Sequence, residues 1–569
     1  MSFIVASDIT SPLGLTTARN YSAVRAGQSA LVTLQDWNGI PGKLTAGAFT
    51  AGQRAILTLR GFTFFQSLAI QSITEALQHT RTDVSAPGTV FILSTTKGDI
   101  AEFTGQPDSY ITPGRSAAII ASRIGFSTVP IVVCNACVSG VSALILADRL
   151  LAAGEYDTAV VCGADCLTPF TVAGFTSFKS LSEDPCRPFD MERNGLNLGE
   201  GAATLILKRT PAETDGPSPW RLVAGAAAND AYHISTPSPS GDGAYRAVSR
   251  VMTGYPIEKL ATVAAHGTAT LFNDQMESVA IERAGLGNIP VSAYKGYFGH
   301  TLGAAGILET ALAMCAADDG TVLPLANFSE SGVSGRIDLS GSERPASGSA
   351  VLKMISGFGG CNGALLLERQ PAVQDERPME SCSLKTLHSL HISPGSFVVD
   401  GNDIPVGAAG SDMLDGIFRN WLNDSPRFHK TDMLSRLICL SVGILLKTAE
   451  MEGNTGNISL KVFNATSSVM SDSRHLASFS TTDGFYPSPS AFLYTLPNIA
   501  VGEAAIRYGI RGETSLLILP EKNIGQMERT LRAEFLQSDS TCLIAGWADC
   551  SSETEFEADM KLIVKIKNR

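Results

Sequence analysis

The chain has 569 residues, of which 44% are hydrophobic and 17% are charged, and its formal net charge is −12. This length and composition predict a globular protein of about two to four domains, and the acidic balance argues against binding to a nucleic-acid backbone. The first residues lack the basic region and apolar core of a signal peptide, so the 11 cysteines are expected to be reduced thiols of a cytoplasmic protein.

The first 370 residues alternate β-like runs with helical patterns, which predicts an α/β architecture. Residues 129–134 predict a strand, residues 141–154 a helix that ends at a glycine, and residues 158–165 another buried strand.

The longest uncharged run, Ile124 to Ala147, has the length of a membrane span. Pro130, Asn135 and Gly140 interrupt it, so we predict a strand, a turn and a helix and no membrane span.

A polar stretch with two prolines, residues 370–381, predicts a domain boundary with a linker over 371–381. The following domain, 382–569, resembles a partial copy of the first part at a constant offset of 384 positions. The matching residues are Tyr110, Pro113, Arg123, Gly125 and 164–166 against Tyr494, Pro497, Arg507, Gly509 and 548–550. An offset without gaps favours a duplication.

Two cysteines, Cys134 and Cys137, stand three positions apart between a predicted strand and a predicted helix. No second pair of ligands lies nearby at zinc spacing, and a redox pair remains an alternative. Cys134 ends the strand and fits a buried small apolar residue. Cys137 lies on the turn before the helix, where backbone N–H groups and the helix dipole favour a thiolate. Cys137 is therefore the candidate nucleophile, with a structural cysteine as the alternative.

Two histidines stand in glycine-rich turns. His266 follows an apolar strand, and His300 shares a glycine-rich loop with Lys295. A third glycine-rich turn, residues 355–364, offers free N–H groups that would hold an oxygen atom.

Six motifs in order over residues 1–370 resemble β-ketoacyl-acyl-carrier-protein synthases of the elongating type, which have a Cys-His-His triad. They are S-P-L-G (11–14), N-A-C-V-S-G (135–140), R-P-F-D-M-E-R-N-G-L-N-L-G-E-G-A (187–202), H-G-T-A-T-L-F-N-D (266–274), K-G-Y-F-G-H-T-L-G-A-A-G (295–306) and G-F-G-G-C-N (357–362). The chain departs from the family pattern at Asn135, where a small hydroxyl residue is common, and at Cys361, where threonine is usual.

This resemblance implies a thiolase-like fold, a five-layered αβαβα sandwich of two similar halves, 1–218 with the nucleophile and 219–370 with both histidine motifs. It implies a decarboxylative Claisen condensation between an acyl-cysteine and a malonyl carrier-protein thioester, in fatty-acid or polyketide synthesis. The partners implied are an acyl carrier protein, whose phosphopantetheine arm delivers the substrates, and a second subunit in a homodimer or a heterodimer with a related synthase. No metal and no bound cofactor are implied.

The resemblance also implies a role for each site residue. Cys137 takes the acyl chain, and the backbone N–H groups of Cys137 and Phe358 form an oxyanion hole, with Phe358 also acting as a gate. His266 and His300 stabilise the enolate.

Supporting roles are implied for four more residues. Lys295 sets the local field and pairs with Glu277, with a structural ion pair as the alternative. Thr268 and Thr270 hold the phosphopantetheine arm.

In the C-terminal copy, the offset places Glu521 opposite Cys137, and no counterpart of either histidine motif follows. We therefore predict a catalytically empty α/β half-domain that packs on the synthase or recruits another subunit, in a specialised polyketide, polyene or pigment route. The alternatives are a thiolase or a malonyl decarboxylase that makes primers, and a non-catalytic partner like a chain-length factor.

Overall fold

The computed structural model describes residues 2–106, 109–211, 219–369, 382–423, 428–479 and 485–567. The predicted linker, 371–381, lies outside these residues. Within them, every helix is too short or too polar to cross a lipid bilayer.

The N-terminal half forms a mixed sheet with helices on both faces. Its strands are β1 (Ser2–Thr10), β2 (Leu31–Gln35), β3 (Lys43–Gly47), β4 (Thr89–Ser94), β5 (Ile131–Val133), β6 (Thr158–Asp165), β7 (Leu198–Gly199) and β8 (Gly201–Lys208). Its helices are α1 (Thr17–Arg25), α2 (Ala51–Leu57), α3 (Phe64–Gln78), α4 (Pro113–Ile124), α5 (Ser139–Ala152) and α6 (Pro169–Ser177). The main sheet has the order β1-β8-β6-β4-β5, with β4 parallel to both of its neighbours.

The predicted elements around the cysteines are present. β6 spans the predicted residues, β5 is shorter than its prediction, and α5 begins and ends two residues before its predicted bounds. β6 and α5 have nearly continuous apolar sequences because layers of the protein cover them on both sides.

The second half repeats this plan. Its strands are β9 (Trp220–Asn229), β10 (Leu260–Ala264), β11 (Val291–Ser292), β12 (Thr321–Val322), β13 (Arg344–Pro345), β14 (Ala350–Gly357) and β15 (Cys361–Arg369). Its helices are α7 (Asp242–Val251), α8 (Leu271–Arg283), α9 (Lys295–Phe298) and α10 (Ala305–Asp318). The second sheet has the order β9-β15-β14-β10-β11.

Helices α5 and α10 lie between the two sheets, α3 and α4 cover the outer face of the first sheet, and α7 covers that of the second. This arrangement confirms the predicted five-layered αβαβα sandwich of two similar halves. The two central helices approach closely at a pair of glycines. A Cβ atom on Gly140 of α5 would lie only 3.0 Å from the Cα atom of Gly306 on α10.

The residues that follow form a unit that we call the C-terminal unit (382–567). Its strands are β16 (Cys382–Ser393), β17 (Ser396–Val399), β18 (Asn402–Asp403), β19 (Ile458–Asn464), β20 (Thr514–Ile518), β21 (Cys542–Cys550) and β22 (Phe556–Lys567). Its helices are α11 (Gly410–Trp421), α12 (Met433–Thr448), α13 (Val469–Phe479), α14 (Pro489–Leu493), α15 (Asn498–Tyr508) and α16 (Ile524–Gln537).

The strand order of the C-terminal unit, β16-β22-β21-β19-β20, reproduces β1-β8-β6-β4-β5 of the N-terminal half. Each parallel or antiparallel pair of strands recurs at the same place in the order. Helices α12, α15 and α16 contact these strands as α3, α4 and α5 contact the strands of the N-terminal half. The predicted partial copy also agrees in detail, since Gly509 ends α15 as Gly125 ends α4, and both glycines have a positive φ. Asp549 accepts backbone N–H groups of the β19 loop as Asp165 does from the β4 loop.

The C-terminal unit docks on the N-terminal half through the edge strands of the two sheets. β20 runs antiparallel to β5, with Leu517 opposite Val133 and Ile518 opposite Val132. Leu517 is the counterpart of Val133 under the offset of 384, so this pair lies at the centre of a pseudo-twofold relation. One sheet therefore continues from the N-terminal half into the C-terminal unit.

Candidate active site

Cys137 lies on a sharp elbow between β5 and α5. Ala136 has a φ of 47°, in the left-handed region that a residue with a Cβ rarely adopts. A short 3-10 turn, Ala136–Val138, then leads directly into α5. The elbow places Cys137 at the N-terminal end of a buried helix, where the sequence predicts it.

Both predicted histidines lie beside Cys137. The Cys137 Sγ atom is 2.9 Å from Nε2 of His300, and the rings of His266 and His300 stand nearly perpendicular with centroids 5.1 Å apart. The sulfur atom and one nitrogen atom of each ring lie within 4.8 Å of one another. The two halves of the sandwich thus bring together three groups that are far apart in sequence.

The hydrogen bonds of His300 define its tautomer. The backbone N–H of Leu302 donates to Nδ1 of His300 over 3.2 Å. A neutral imidazole that accepts at Nδ1 carries its hydrogen on Nε2. His300 therefore donates from Nε2 toward the Cys137 sulfur.

Burial keeps both rings neutral. Desolvation, reinforced by the nearby Lys295 ammonium, holds the pKa of His266 and of His300 well below the usual value for histidine. Neutral imidazoles donate an N–H without carrying a charge into the site.

The resting state of Cys137 differs from the sequence-based expectation of a thiolate. Burial raises the pKa of the Cys137 thiol to about 12, and this outweighs the opposing effects of Lys295 and of the Cys137 amide. The helix N-terminus is present, but desolvation of a charged sulfur is the larger effect. Burial therefore favours the neutral thiol of Cys137 over the thiolate that the helix position predicts.

The predicted pairing of Lys295 with Glu277 is wrong. Lys295 Nζ donates to Glu309 Oε1 and to the backbone carbonyl of His266, each over 2.6 Å. Glu277 instead accepts the backbone N–H groups of His266 and Gly267. Lys295 therefore holds the carbonyl group of His266, and Glu277 holds its N–H group, without contact between the two side chains.

A second buried lysine completes this arrangement. Lys353 Nζ donates to Glu309 Oε2 over 2.7 Å and to the carbonyl of Ala265 over 3.2 Å. Glu309 thus bridges two ammonium groups that are fully enclosed behind the histidines. The excess positive charge is one physical reason why protons do not add to the imidazoles.

Two family models match the chain, "Beta-ketoacyl synthase, N-terminal domain" over residues 3–212 and "Beta-ketoacyl synthase, C-terminal domain" over residues 221–329. A mitochondrial protein of Schizosaccharomyces pombe, named as a 3-oxoacyl-acyl-carrier-protein synthase, is 30% identical over 414 residues, which cover 63% of this chain and 96% of the relative. The chain belongs to the β-ketoacyl synthase family. It is therefore an acyltransferase of the condensing type, as the motifs of residues 1–370 predict.

Other members and structures resemble this synthase. The ketoacyl synthase alpha subunit of the tetracenomycin polyketide synthase of Streptomyces glaucescens is 34% identical over 280 residues, 46% of this chain and 65% of the relative. The structure of the PfaC keto synthase–chain length factor has a TM-score of 0.78 at 14% identity and covers 99% of this chain and 78% of its own. The likeness of fold therefore extends over the C-terminal unit.

Phe358 lies in the glycine-rich loop between β14 and β15 of the synthase. Its ring packs against Phe175 and Phe178, with centroids 6.1 and 5.6 Å away. The preceding Gly357 lies against the Cys137 amide, since a Cβ atom there would be 3.3 Å from the amide nitrogen. The loop that was predicted to supply the second oxyanion donor is thus adjacent to the nucleophile.

Thr268 and Thr270 follow His266 at the start of α8, and their hydroxyl oxygens are 2.8 Å apart. Thr268 is buried and Thr270 is half-buried. They form a hydroxyl pair that is continuous with the histidine motif.

A small cavity beside Cys137 is lined by side chains of residues 1–370 and by side chains of the C-terminal unit. Cys137, Phe175 and Phe358 line it from the first 370 residues, and Phe492 and Leu496 line it from the C-terminal unit. Phe492 also packs into the space over Gly174, where a Cβ atom would lie 2.1 Å from the ring. Asn498 donates to the carbonyl of Phe358 over 2.8 Å.

Sequence reasoning missed these residues of the C-terminal unit and also Glu309 and Lys353. Glu309 lies three residues after the motif of residues 295–306, so its proximity to Lys295 in sequence was an available signal. Lys353 and Phe492 carry no local signal, because their roles depend on which strands and helices meet.

Proposed function

We propose that Cys137 carries the acyl chain of a decarboxylative condensation in which His266 and His300 act on the malonyl unit. The observation that supports this is the Cys137 sulfur on its strained elbow, 2.9 Å from a donating nitrogen of His300. His266 adds a second neutral ring at the same point.

In the first step, the Cys137 sulfur attacks the carbonyl carbon of an acyl thioester on a carrier protein. The backbone N–H groups of Cys137 and Phe358 hold the developing oxyanion. The thiol of the phosphopantetheine arm leaves and takes the proton that Cys137 gives up. Because Cys137 starts as a thiol, the hydrogen bond from His300 stabilises the sulfur as charge develops on it.

In the second step, a malonyl thioester loses carbon dioxide, and the N–H groups of His266 and His300 stabilise the enolate oxygen. The enolate carbon attacks the acyl carbonyl and forms the new carbon–carbon bond, while the bond to Cys137 breaks. The Cys137 thiolate takes a proton from solvent. The product is a β-ketoacyl thioester two carbons longer than the acyl chain.

Lys295 and Glu277 act as positioning residues in this proposal, because they hold the backbone on either side of His266. Thr268 and Thr270 bind the phosphopantetheine arm. The S. pombe relative is named as a synthase of a 3-oxoacyl-acyl-carrier-protein, and we propose a carrier protein as the partner of this chain. No resident cofactor is assigned.

We propose that residues 382–569, whose described part is the C-terminal unit, form a catalytically empty partner subunit carried on the same chain, after halves 1–218 and 219–370. It presents Glu521, exposed, at the position of Cys137, and Phe492 and Leu496 close the cavity beside the nucleophile. A ketosynthase from Xenorhabdus doucetiae, 25% identical with a TM-score of 0.56 over 65% of this chain and 98% of its own, was solved in complex with a separate chain length factor. Here, the C-terminal unit takes that place and limits the acyl chain.

A cytoplasmic location and a specialised polyketide, polyene or pigment route belong to the same proposal. The described cysteines are free thiols, in keeping with a reducing compartment. Fractionation of cells followed by detection of the chain in the soluble cytoplasmic fraction tests the location.

The reaction is tested with purified full-length enzyme, an acyl carrier protein charged with a short acyl group, and malonyl carrier protein. We expect a β-ketoacyl carrier protein and carbon dioxide in equal amounts. Carbon dioxide with acetyl carrier protein alone would indicate a primer-making decarboxylase, cleavage of a β-ketoacyl substrate by a free thiol would indicate a thiolase, and no turnover would indicate a non-catalytic subunit.

A further inference from the structure

Residues 1–370, which we call the synthase below, and the C-terminal unit meet at a contact that contains buried charges of opposite sign. Arg149 of α5 makes two parallel hydrogen bonds to Glu513, of 2.5 and 2.6 Å. Glu534 of α16 lies 3.7 Å from the same guanidinium, and all three side chains are nearly fully buried. The cation comes from the synthase, and both carboxylates come from the C-terminal unit.

Lys461 of the C-terminal unit completes this group, 2.7 Å from Glu534 and 3.7 Å from Glu513. The unit therefore brings two carboxylates and one ammonium to the contact, an excess of one negative charge that Arg149 neutralises. Burial alone would raise the pKa of Glu513, but the Arg149 guanidinium outweighs it and lowers the pKa to about 2.

A second buried pair crosses the contact beside the cavity. Lys97 of the synthase is 1% exposed, and its Nζ donates to Asp472 over 2.6 Å and to the carbonyl of Thr495 over 2.6 Å. The other oxygen of Asp472 accepts from Tyr110 over 2.7 Å. Again the synthase supplies the cation, and the C-terminal unit supplies the anion.

The N-terminal half has no carboxylates at the positions that correspond to Glu513 and Glu534. The offset of 384 places Val129 at the position of Glu513 and Leu150 at that of Glu534. The matching strand pairs, Ile458 with Cys542 and Thr89 with Thr158, place Ile92 at that of Lys461. A second synthase docked in the same way would bring aliphatic side chains to Arg149.

Both departures from the family pattern also lie at this contact. Asn135 accepts the backbone N–H of Leu516 over 2.9 Å and so extends the pairing of β5 with β20. The Cys361 sulfur is 3.4 Å from the hydroxyl of Thr514. The two positions at which this chain differs from the motifs are positions that touch the C-terminal unit.

We infer that the synthase face around β5 accepts the acidic face of its own C-terminal unit and excludes a second copy of the synthase. A buried cation is tolerated only with its anion, and an aliphatic partner would leave Arg149 unpaired. Specificity of pairing follows from this penalty as much as from the attraction.

Engineered disulfides in the full chain test the pairing. Val133 and Leu517 face each other at the centre of the pseudo-twofold relation, so Val133→Cys with Leu517→Cys should crosslink within one chain. In a synthase–synthase pair, Val133 would face its own copy. Val133→Cys alone should therefore give no disulfide-linked dimer on a non-reducing gel, with the wild-type chain as the control for its native cysteines.

Three more full-length variants test the charges. Glu513→Gln should lower the melting temperature by roughly 5 °C because it leaves Arg149 and Lys461 with only Glu534, which is one buried positive charge too many. Arg149→Met with Glu513→Gln should recover most of that loss because it restores the balance of charge. Glu528→Gln, on the exposed face of α16, should change nothing. A disulfide-linked dimer of Val133→Cys, with or without Glu513→Gln, would overturn the inference, and so would a double variant no more stable than Glu513→Gln.

Discussion

The N-terminal half and the C-terminal unit share one topology and differ in chemistry. Both have five main strands in the same order, and in both the strand at the sheet edge leads into a helix. At that turn the N-terminal half has Cys137, and the second half that follows it supplies His266 and His300. The C-terminal unit has Glu521 at that turn. We therefore expect that the scaffold alone does not catalyse, since both histidines come from the half that the C-terminal unit does not repeat among its described residues.

The corresponding helices α5 and α16 show how the C-terminal unit exists without a second half. Helix α5 is covered by sheets on both sides, and nearly all of its side chains are buried. Helix α16 buries Met527 and Phe535 and exposes Glu528 and Arg532. The exposed charges suit a face in contact with water, in place of the second sheet that covers α5.

The largest expected effect is on the nucleophile itself. Cys137→Ala should abolish condensation because no sulfur remains to carry the acyl chain. Glu521→Cys, at the corresponding turn, should add no activity to Cys137→Ala because the residues that the structure describes place no histidine pair beside it. The rate of β-ketoacyl formation measures both, with the buried Cys134→Ala as the matched control that keeps the activity. Recovery of turnover by Glu521→Cys would break the comparison.

The histidines should affect the second step more than the first. His266→Ala and His300→Ala should each lower release of carbon dioxide from malonyl carrier protein by about 10²–10³-fold, because each removes one donor to the enolate. Acylation of Cys137 should persist in both variants. His79→Ala, an exposed histidine at the end of α3, is the control. Normal carbon dioxide release in either site variant would contradict the assignment.

Sequence reasoning brought together Cys137, both histidines and the Phe358 loop because each is part of a local motif, and the structure places them side by side. It also found the repeated unit, since Gly125 and Gly509 need the same left-handed cap. It could not find the Lys353–Glu309 bridge, which joins two elements far apart in the chain. It also could not include the burial that opposes a thiolate at Cys137, because desolvation depends on the packing of the whole site.

The cavity wall should give a smaller effect on product length. Phe492→Leu replaces the ring that closes the cavity beside Cys137 with a smaller side chain, so the enzyme should accept acyl chains at least two carbons longer. The distribution of products by mass spectrometry measures this shift. Phe535→Leu, equally buried in the C-terminal unit but in a separate cluster, should leave the distribution unchanged. An equal shift in both variants would indicate general loosening in place of a specific wall.

The smallest expected effect is on the pH dependence. The pKa values of His266 and His300 lie well below the usual value, so both rings stay neutral above them and the donors are present throughout. Decarboxylation should change by less than about twofold between pH 6 and 8. A fall in the rate on acidification with a midpoint near the ordinary histidine pKa would show that the rings protonate more readily than their burial implies.

One measurement tests the comparison between the N-terminal half and the C-terminal unit most directly. The full-length enzyme is incubated with acyl carrier protein, and peptides are then searched for the acyl group by mass spectrometry. We expect the group on the peptide that contains Cys137 and on no peptide of the C-terminal unit. An acyl group on Cys134, on Cys361 or on any residue of 382–569 would contradict a single catalytic centre paired with a catalytically empty partner.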